Sequence, residues 1–408
     1  MTIRASSTFA RARIRINELL KRNRISRFLI RTAYAVVRLI VPASSRQIGF
    51  ISSPDITDNS LALFEKIVTA GRAQSFRLVW LVADVRASRE ALQRDFSQTA
   101  LQNVWVLRRN SLGGVWAFLR CSSIFSTHGI YWFAHHGFHQ TIFNLWHGMP
   151  IKTIGALDGK LPSDLSLTHY TVATSEFFAD LMAQSFYLPR ERVLLTGLPR
   201  NEWLFQQEER YALLKEGRAH LVLWLPTFRT SHRGEIRRDS DQSASDLLSA
   251  ETLAALNAAL DGAQSLLVIK LHAMDIKNTQ DWPSYRNIRV FTDERFRAAG
   301  LNLYKLLACS DALVTDFSSC AIDYLLLQKP IGLYSPDRSE YARGFMPSVL
   351  EKVEAQSYSL NSVEEFAAFL RKLPPPRPVA SAAEDLYQLD LRNPSQAILS
   401  AAGLADII

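Results

Sequence analysis

Ala312-Leu313-Val314-Thr315 runs straight into Asp316-Phe317-Ser318-Ser319, a short β-rich stretch that ends directly in a helix start. Asp and Ser at such a junction accept hydrogen bonds from the first N–H groups of a helix, so this segment predicts a strand–helix unit with its helix over Ser318–Leu327. The same alternation spreads outward from it. Strands are expected at Ile48–Ser52, Arg77–Ala83, Val104–Leu107, Ser123–Ser126, Thr141–Leu145, Tyr170–Ala173 and Val193–Leu195. A second set is expected at His220–Leu225, Ser265–Leu271, Ile288–Phe291, Ala312–Thr315 and Pro330–Leu333. Helical periodicity falls between them at Leu61–Thr69, Ser175–Gln184, Thr252–Leu260 and Leu303–Ala308. Gly197 and Pro199 turn the chain between Thr196 and Glu209, which places a domain boundary there, and polar Ser231–Ser245 reads as a loop. Pro374, Pro375, Pro376 and Pro378 set off a terminal helix expected from Ala382 to Leu389. The fold class is therefore α/β. Two Rossmann-like domains, residues 47–203 and 204–378, are expected to face each other across a cleft, with ligands at the carboxyl ends of the strands. A basic amphipathic helical arm, residues 1–46, precedes them, and a helical segment, 379–408, is expected to pack back on the first domain.

The chain has 408 residues, enough for two to three domains of about 150 residues each. At 48% hydrophobic and 21% charged it can bury sizeable cores, which excludes wholesale disorder. The three cysteines (Cys121, Cys309, Cys320) have neither disulfide-framework nor zinc-ligand spacing. Charge is unevenly placed. Residues 1–46 hold eleven Lys/Arg against Glu18 alone, a net +10, and the rest of the chain carries 36 basic against 38 acidic groups. A basic character confined to one arm points to a local anionic partner. Within that arm Arg11, Arg15, Lys21, Arg22, Arg24, Arg27 and Arg31 interleave with Ile14, Ile16, Leu19, Leu20, Ile25, Phe28, Leu29 and Ile30. Arg31 and Arg38 interrupt the apolar stretch, so neither a secretory signal nor a spanning helix fits. The pattern suits a helix lying on an anionic membrane surface, its apolar side in the lipid and its arginines on phosphates. A solvated or core-packed first helix is the plain alternative. Nucleic acid is not expected, because no binding module is present and the body is slightly acidic.

No GxxxxGK[ST], HExxH or GxSxG pattern occurs. Four polar clusters instead follow expected strands. Trp146-His147-Gly148-Met149-Pro150, with Lys152 beyond, puts a histidine at a strand end. Pro226-Thr227-Phe228-Arg229 offers a guanidinium for phosphate, or an interdomain ion pair. Lys270-Leu271-His272 ends another strand. Thr315-Asp316-Phe317-Ser318-Ser319 offers hydroxyls and helix N–H groups to an anion, or only a helix cap. Two histidines, an arginine and a helix terminus suit a diphosphate better than a metal or a nicotinamide. His135, His136 and His139 lack a nearby carboxylate, so no metal site is assigned.

These clusters resemble those of the CDP-glycerol glycerophosphotransferase family, which builds poly(glycerol phosphate) chains such as teichoic acids. The resemblance is carried by Trp146–Pro150, Thr196-Gly197-Leu198-Pro199-Arg200-Asn201, Pro226–Arg229, Lys270–His272 and Ser310–Ser319. It continues through Asp323-Tyr324, Lys329-Pro330, Tyr334–Asp337 and Tyr341–Phe345, in order, from about residue 120 to 350. Met149, Ala273 and Glu202 depart from the family's usual Thr, Pro and Asp, which bears on acceptor or polyol choice more than on the reaction. The resemblance implies a GT-B fold and peripheral attachment at the cytoplasmic face of the membrane. It also implies CDP-glycerol as donor, a lipid-linked glycan or growing polymer as acceptor, and no cofactor. His147 would be the general base, and His272 and Arg229 would contact the diphosphate. Ser318, Ser319, Thr315, Asp316, Arg200, Asn201 and Arg343 would complete the substrate site. A nucleotide-sugar glycosyltransferase, a CDP-ribitol enzyme and an inactive scaffold are the competing readings.

Overall fold

A computed structural model of the chain describes residues 23–70, 73–134, 139–227, 247–272, 283–336, 344–378, 385–388 and 393–408. The first helix, α1 (Arg24–Ile40), is capped by Asn23, whose Oδ1 accepts from Ile25 N and Ser26 N. Strands β1 (Ser44–Ile51), β2 (Arg77–Val82), β3 (Val104–Arg108), β4 (Cys121–Ser126), β5 (Thr141–Asn144), β6 (Tyr170–Ala173) and β7 (Val193–Leu195) follow. They form one sheet in the order β3-β2-β1-β4-β5-β6-β7, with every pair of known register parallel. Helices α2 (Asp58–Thr69), α3 (Val85–Asp95), α4 (Leu112–Arg120) and α5 (Glu176–Phe186) connect its strands.

The second sheet comprises β8 (His220–Leu225), β9 (Ser265–Lys270), β10 (Ile288–Phe291), β11 (Ala312–Thr315), β12 (Ile331–Tyr334) and β13 (Tyr358–Leu360). Its order is β10-β9-β8-β11-β12-β13, again parallel. Its helices include α6 (Ala250–Asp261), α7 (Asp293–Ala298), α8 (Leu303–Cys309), α9 (Cys320–Tyr324), α10 (Pro347–Ala355) and α11 (Val363–Lys372). Both sheets have the 3-2-1-4-5-6 winding, so each carries a topological switch point, between β1 and β4 and between β8 and β11.

All twelve expected strands form, most within a residue or two of the expected bounds. β13 was not expected: three residues with a central serine give too short a pattern to read. The helix expected over Ser318–Leu327 is α9 followed by a 3-10 turn, Leu325–Leu327. Of the expected terminal helix, residues 385–388 run without helix, and α12 lies instead at Pro394–Ala401. Residues 228–246, which include Arg229 and all of the expected loop, lie outside the described residues, as do Arg343, Ala273, His135 and His136.

The chain parts into two compact units, residues 1–147, 160–171 and 399–408 in one, and 148–159 and 172–398 in the other. The crossing from the first to the second falls at the His147–Gly148 peptide. In the first unit a core of Val79, Leu81, Phe118, Ile124 and Ile142 also takes in Tyr34 of α1 and Val41 just beyond it. Arg27, Arg31, Tyr34 and Arg38 fall on one side of α1 at 3.6 residues per turn. Tyr34 and Arg38 are buried and Arg27 and Arg31 half-buried. Arg38 Nη1 donates to Leu119 O at 2.9 Å and Val41 O at 3.3 Å, so this arginine is structural. The opposite side of the helix exposes Ile25, Phe28, Leu29, Val36, Leu39 and Ile40, each at least half accessible. α1 therefore turns its basic side toward the protein and its apolar side outward.

Candidate active site

In the first unit the site grows from the ends of β4 and β5. Thr127 follows β4, and Asn144 closes β5. Asn144 Oδ1 accepts from Trp146 N at 3.1 Å, which bends the chain and puts Trp146 at φ +52°. A bulky residue in the left-handed region costs about 1–3 kcal/mol and persists only where its surroundings fix it. Here the fully buried Asn59, at the start of α2, donates from Nδ2 to Leu145 O (3.1 Å) and Trp146 O (3.0 Å). The turn aims His147 back at β4, where Nδ1 lies 3.1 Å from Thr127 O. A carbonyl only accepts, so Nδ1 carries the hydrogen and the lone pair of the neutral imidazole sits on Nε2. The ring stacks on His128, with centroids 4.3 Å apart and planes 7° from parallel, and on Trp146 at 4.2 Å. His128 Nδ1 lies 3.0 Å from Thr127 Oγ1.

In the second unit, Gly148 has φ +120°, and a Cβ there would stand 2.4 Å from Ser319 Oγ and 2.6 Å from Arg200 Nη2. Only glycine fits. The segment after it is pinned through an antiparallel bridge of Lys152 with Phe345: Thr153 N donates to Gly344 O (3.1 Å) and Met346 N to Ile151 O (2.9 Å). Arg200 itself is buried. Its Nη2 meets Asp323 Oδ2 at 2.7 Å, and its guanidinium lies 4.4 Å over the Tyr304 ring. Asp323, with no exposed surface, also accepts from Asn201 Nδ2 (3.0 Å) and from Tyr304 Oη. Asn201 Nδ2 further donates to Tyr387 Oη at 3.0 Å. Arg200 and Asn201 thus hold the wall on which Gly148 rests.

The ends of β8 and β11 meet at the switch point. Asp316 accepts from Thr227 N (3.1 Å to Oδ1, 3.2 Å to Oδ2) and from Thr227 Oγ1 (2.8 Å), and Thr315 Oγ1 donates to Leu225 O at 2.7 Å. Both side chains fix the start of the Thr227 loop. Ser318 Oγ accepts from Cys320 N at 3.3 Å. α9 has five residues, so its helix dipole is small. His272 follows β9 and keeps exposed surface. The protein packed around its imidazole, followed by the charges of Lys270 and Lys152, pushes it down to about 4, against the opposing pull of Asp293 and Asp316. The working consequence is a neutral His272 near pH 7. Lys270 Nζ is tied to Asp293 Oδ1 at 3.0 Å, and Lys152 is buried.

The site residues not foreseen are Asn59, Thr127, His128, Tyr304 and Lys152's part beside His272. His128 follows a strand end as His147 does, a signal that was readable. Asn59 and Tyr304 carry none. Of the motif departures, Met149 is fully buried and Glu202 Oε1 accepts from Ser395 N at 2.8 Å, so both have packing roles in this chain. Among the described residues no three His, Cys, Asp or Glu side chains cluster as metal ligands, and no helix is long and apolar enough to cross a membrane.

The architecture is shared with solved proteins. The wall teichoic acid polymerase TagF, in a variant soaked with CDPG, superposes with a TM-score of 0.70 at 18% identity, over 99% of this chain and 98% of that one. The fold is accordingly the GT-B type with two Rossmann-like domains. By sequence, the teichoic acid glycerol-phosphate transferase of Staphylococcus aureus is 22% identical over 355 residues, 79% of this chain and 84% of its own length. The teichoic acid poly(glycerol phosphate) polymerase of Staphylococcus epidermidis is 24% identical over 253 residues, 54% of this chain. The match spans 32% of that polymerase, and 38% of the poly(ribitol-phosphate) polymerase of Bacillus spizizenii, which is 25% identical. A family model described as CDP-glycerol:poly(glycerophosphate) glycerophosphotransferase matches residues 33–373. With most of its length inside that match, the chain belongs to this glycerophosphotransferase family.

Proposed function

We propose that the chain transfers glycerol phosphate from CDP-glycerol to a hydroxyl of a membrane-linked glycan or growing poly(glycerol phosphate) chain, with release of CMP. Family membership supplies the substrate class. The observation that carries the reading is the seating of Gly148, one peptide from His147, against Ser319 and Arg200. That fit fixes the backbone of the residue that directly follows the proposed base.

His147 Nε2 takes the proton of the acceptor hydroxyl as its oxygen bonds to the glycerol-bearing phosphorus. The P–O bond to CMP breaks, and CMP leaves with the electron pair. Nδ1–H held by Thr127 O and the His128 stack keep the ring in the orientation the step needs. His272 enters as a neutral donor to the diphosphate, with Lys152 and Lys270 supplying positive charge nearby. Arg229 and Arg343 are proposed on the same diphosphate, alongside Ser318 and Ser319. Thr315, Asp316, Arg200 and Asn201 act by positioning. His147→Ala and His272→Ala should each lower CMP release about 10²-fold or more. Wild-type turnover in either variant dismisses that residue's role, and absence of CMP release from CDP-glycerol by the intact chain dismisses the reaction. The likeness to a poly(ribitol-phosphate) polymerase keeps CDP-ribitol as the second donor to test, by product analysis with both.

For location, we propose peripheral attachment at the cytoplasmic face of the membrane. The outward apolar side of α1 supports it, since each large side chain leaving water contributes on the order of 1.5–3 kcal/mol when fully buried. The basic residues of the arm, Arg11, Arg15, Lys21 and Arg22 among them, would meet anionic headgroups. These four lie outside the described residues; Arg24 begins α1, and Arg27 and Arg31 lie half-buried on the side of α1 turned toward the protein, away from its outward apolar side.

A further inference from the structure

A groove of about 650 Å³ runs along β10, the edge strand of the second sheet, lined by Arg218, Arg286, Arg289, Arg295, Pro283 and Tyr285 among others. Its lining holds four guanidiniums and no carboxylate. Arg218 precedes β8, while Arg286 and Arg289 bracket the start of β10. These three lie toward the amino-terminal ends of the strands, while Val290 extends the groove along β10 and Arg295 of α7 carries it past that strand. None of Thr227, His272, Asp316, Ser318 and Ser319 lines it.

Two of the arginines are fixed in place. Glu216 receives Arg289 (2.9 and 2.5 Å) and Arg218 (3.2 Å), Arg218 Nη2 donates to Arg286 O at 2.6 Å, and Arg289 Nη1 donates to Tyr285 O at 3.0 Å. Arg286 and Arg295 are exposed, and their guanidiniums make no ion pair among the described residues. A single charge is enough to keep an edge strand from pairing with another chain. Four, on a body whose charge outside the arm is slightly negative, exceed that need. None of the large exposed apolar side chains of the described residues lies between 283 and 297, so the groove lacks the apolar surface a bilayer would bury. Guanidinium forks match the paired oxygens of phosphodiesters, and their spread over a loop, a strand and a helix suits several phosphates in a row.

We propose that this groove binds an anionic phosphodiester chain, the glycerol phosphate polymer on which the proposed reaction acts; the identity of that polymer rests on the proposed function. The polymer lies across Arg286 and Arg295, with Arg218 and Arg289 behind them. The test is equilibrium binding of end-labelled glycerol phosphate oligomers of about ten units to the full chain, without CDP-glycerol, from 50 to 200 mM salt. Arg286→Glu/Arg295→Glu should weaken binding about tenfold or more at the lower salt. It should also reduce the log–log salt slope by about 1.4, as expected for two lost contacts at roughly 0.7 each. Arg286→Ala/Arg295→Ala should weaken it in the same direction. Unchanged oligomer affinity in the charge-reversed protein overturns the proposal. So does an equal loss of CDP-glycerol affinity, which would place these arginines in the donor site or the fold. Loss of binding to phosphatidylglycerol vesicles with oligomer binding intact would reassign the groove to membrane and overturns it too. Oligomer binding is read without turnover, so an enzyme inactive on CDP-glycerol defeats the reaction and leaves this test standing.

Discussion

Replacing Gly148 with alanine is the sharpest perturbation of the site. At φ +120° an L-residue is strained by about 1–3 kcal/mol wherever it finds room, and Gly148 has none. The new Cβ would stand 2.4 Å from Ser319 Oγ, 3.0 Å from Ser319 Cβ and 2.6 Å from Arg200 Nη2. Ser319 can rotate its hydroxyl away. Arg200 cannot yield freely, because moving its guanidinium loosens the 2.7 Å pair with fully buried Asp323. Outright loss of a partner in such a pair costs about 3–5 kcal/mol. A partial shift added to the backbone strain gives a destabilisation of about 2–4 kcal/mol. For a unit of this size that lowers Tm by roughly 5–15 °C. Relief of the overlap also pulls on His147, and a displacement near 1 Å can cost about 10²-fold in rate. The assay pairs thermal unfolding with CMP release from CDP-glycerol. Ser319→Ala in the same chain removes the nearest clashing atom and should restore part of the lost Tm. Wild-type Tm and turnover in Gly148→Ala would refute the reasoning, and a defect that Ser319→Ala leaves untouched would refute the contact with Ser319.

Asp323→Ala leaves Arg200 buried without its carboxylate and should cost about 3–5 kcal/mol in denaturant unfolding; a loss below about 1 kcal/mol would show the pair to be dispensable. His272 is pushed down to about 4 in the folded chain, below its unfolded value near 6.5. Between those values the unfolded state binds the extra proton, so stability is full above pH 6.5 and falls as the pH drops toward 4. His272→Gln should flatten that part of the profile, and CDP-glycerol binding near pH 5.5 should be accompanied by proton uptake, measurable by calorimetry in two buffers. Phe28→Ser with Leu39→Ser removes exposed apolar surface from α1 and should release the chain from phosphatidylglycerol vesicles without lowering Tm. Vesicle binding equal to wild type would leave α1 as an ordinary surface helix.

The strand–helix alternation was legible because each unit of a parallel sheet is written locally. Buried strands such as Leu266–Ile269 are unbroken apolar runs, and Ser175, Ser249 and Asn302 mark the starts of their helices with side-chain caps. The strand-end clusters were legible for the same reason: His147, Thr227, His272 and Asp316 all sit where a parallel strand stops. β13 escaped because three residues hold too little pattern. The roles of individual side chains were less legible. Arg200, which the resemblance placed in the substrate site, is held by a carboxylate 123 positions away. Arg38, spaced like the other arginines of the arm, is buried against Leu119 O.

By itself, then, the sequence determined two doubly wound sheets, their polar carboxyl-terminal ends and a basic amphipathic start to the chain. Only the tertiary structure decided which side of α1 faces out, that His147 is held by Thr127 and His128, and that four arginines scattered from 218 to 295 line one groove. Secondary structure follows from propensities and periods that act over a few residues. A hydrogen bond or an ion pair depends on which groups the fold brings within about 3 Å, and for these residues the partners come from distant parts of the chain.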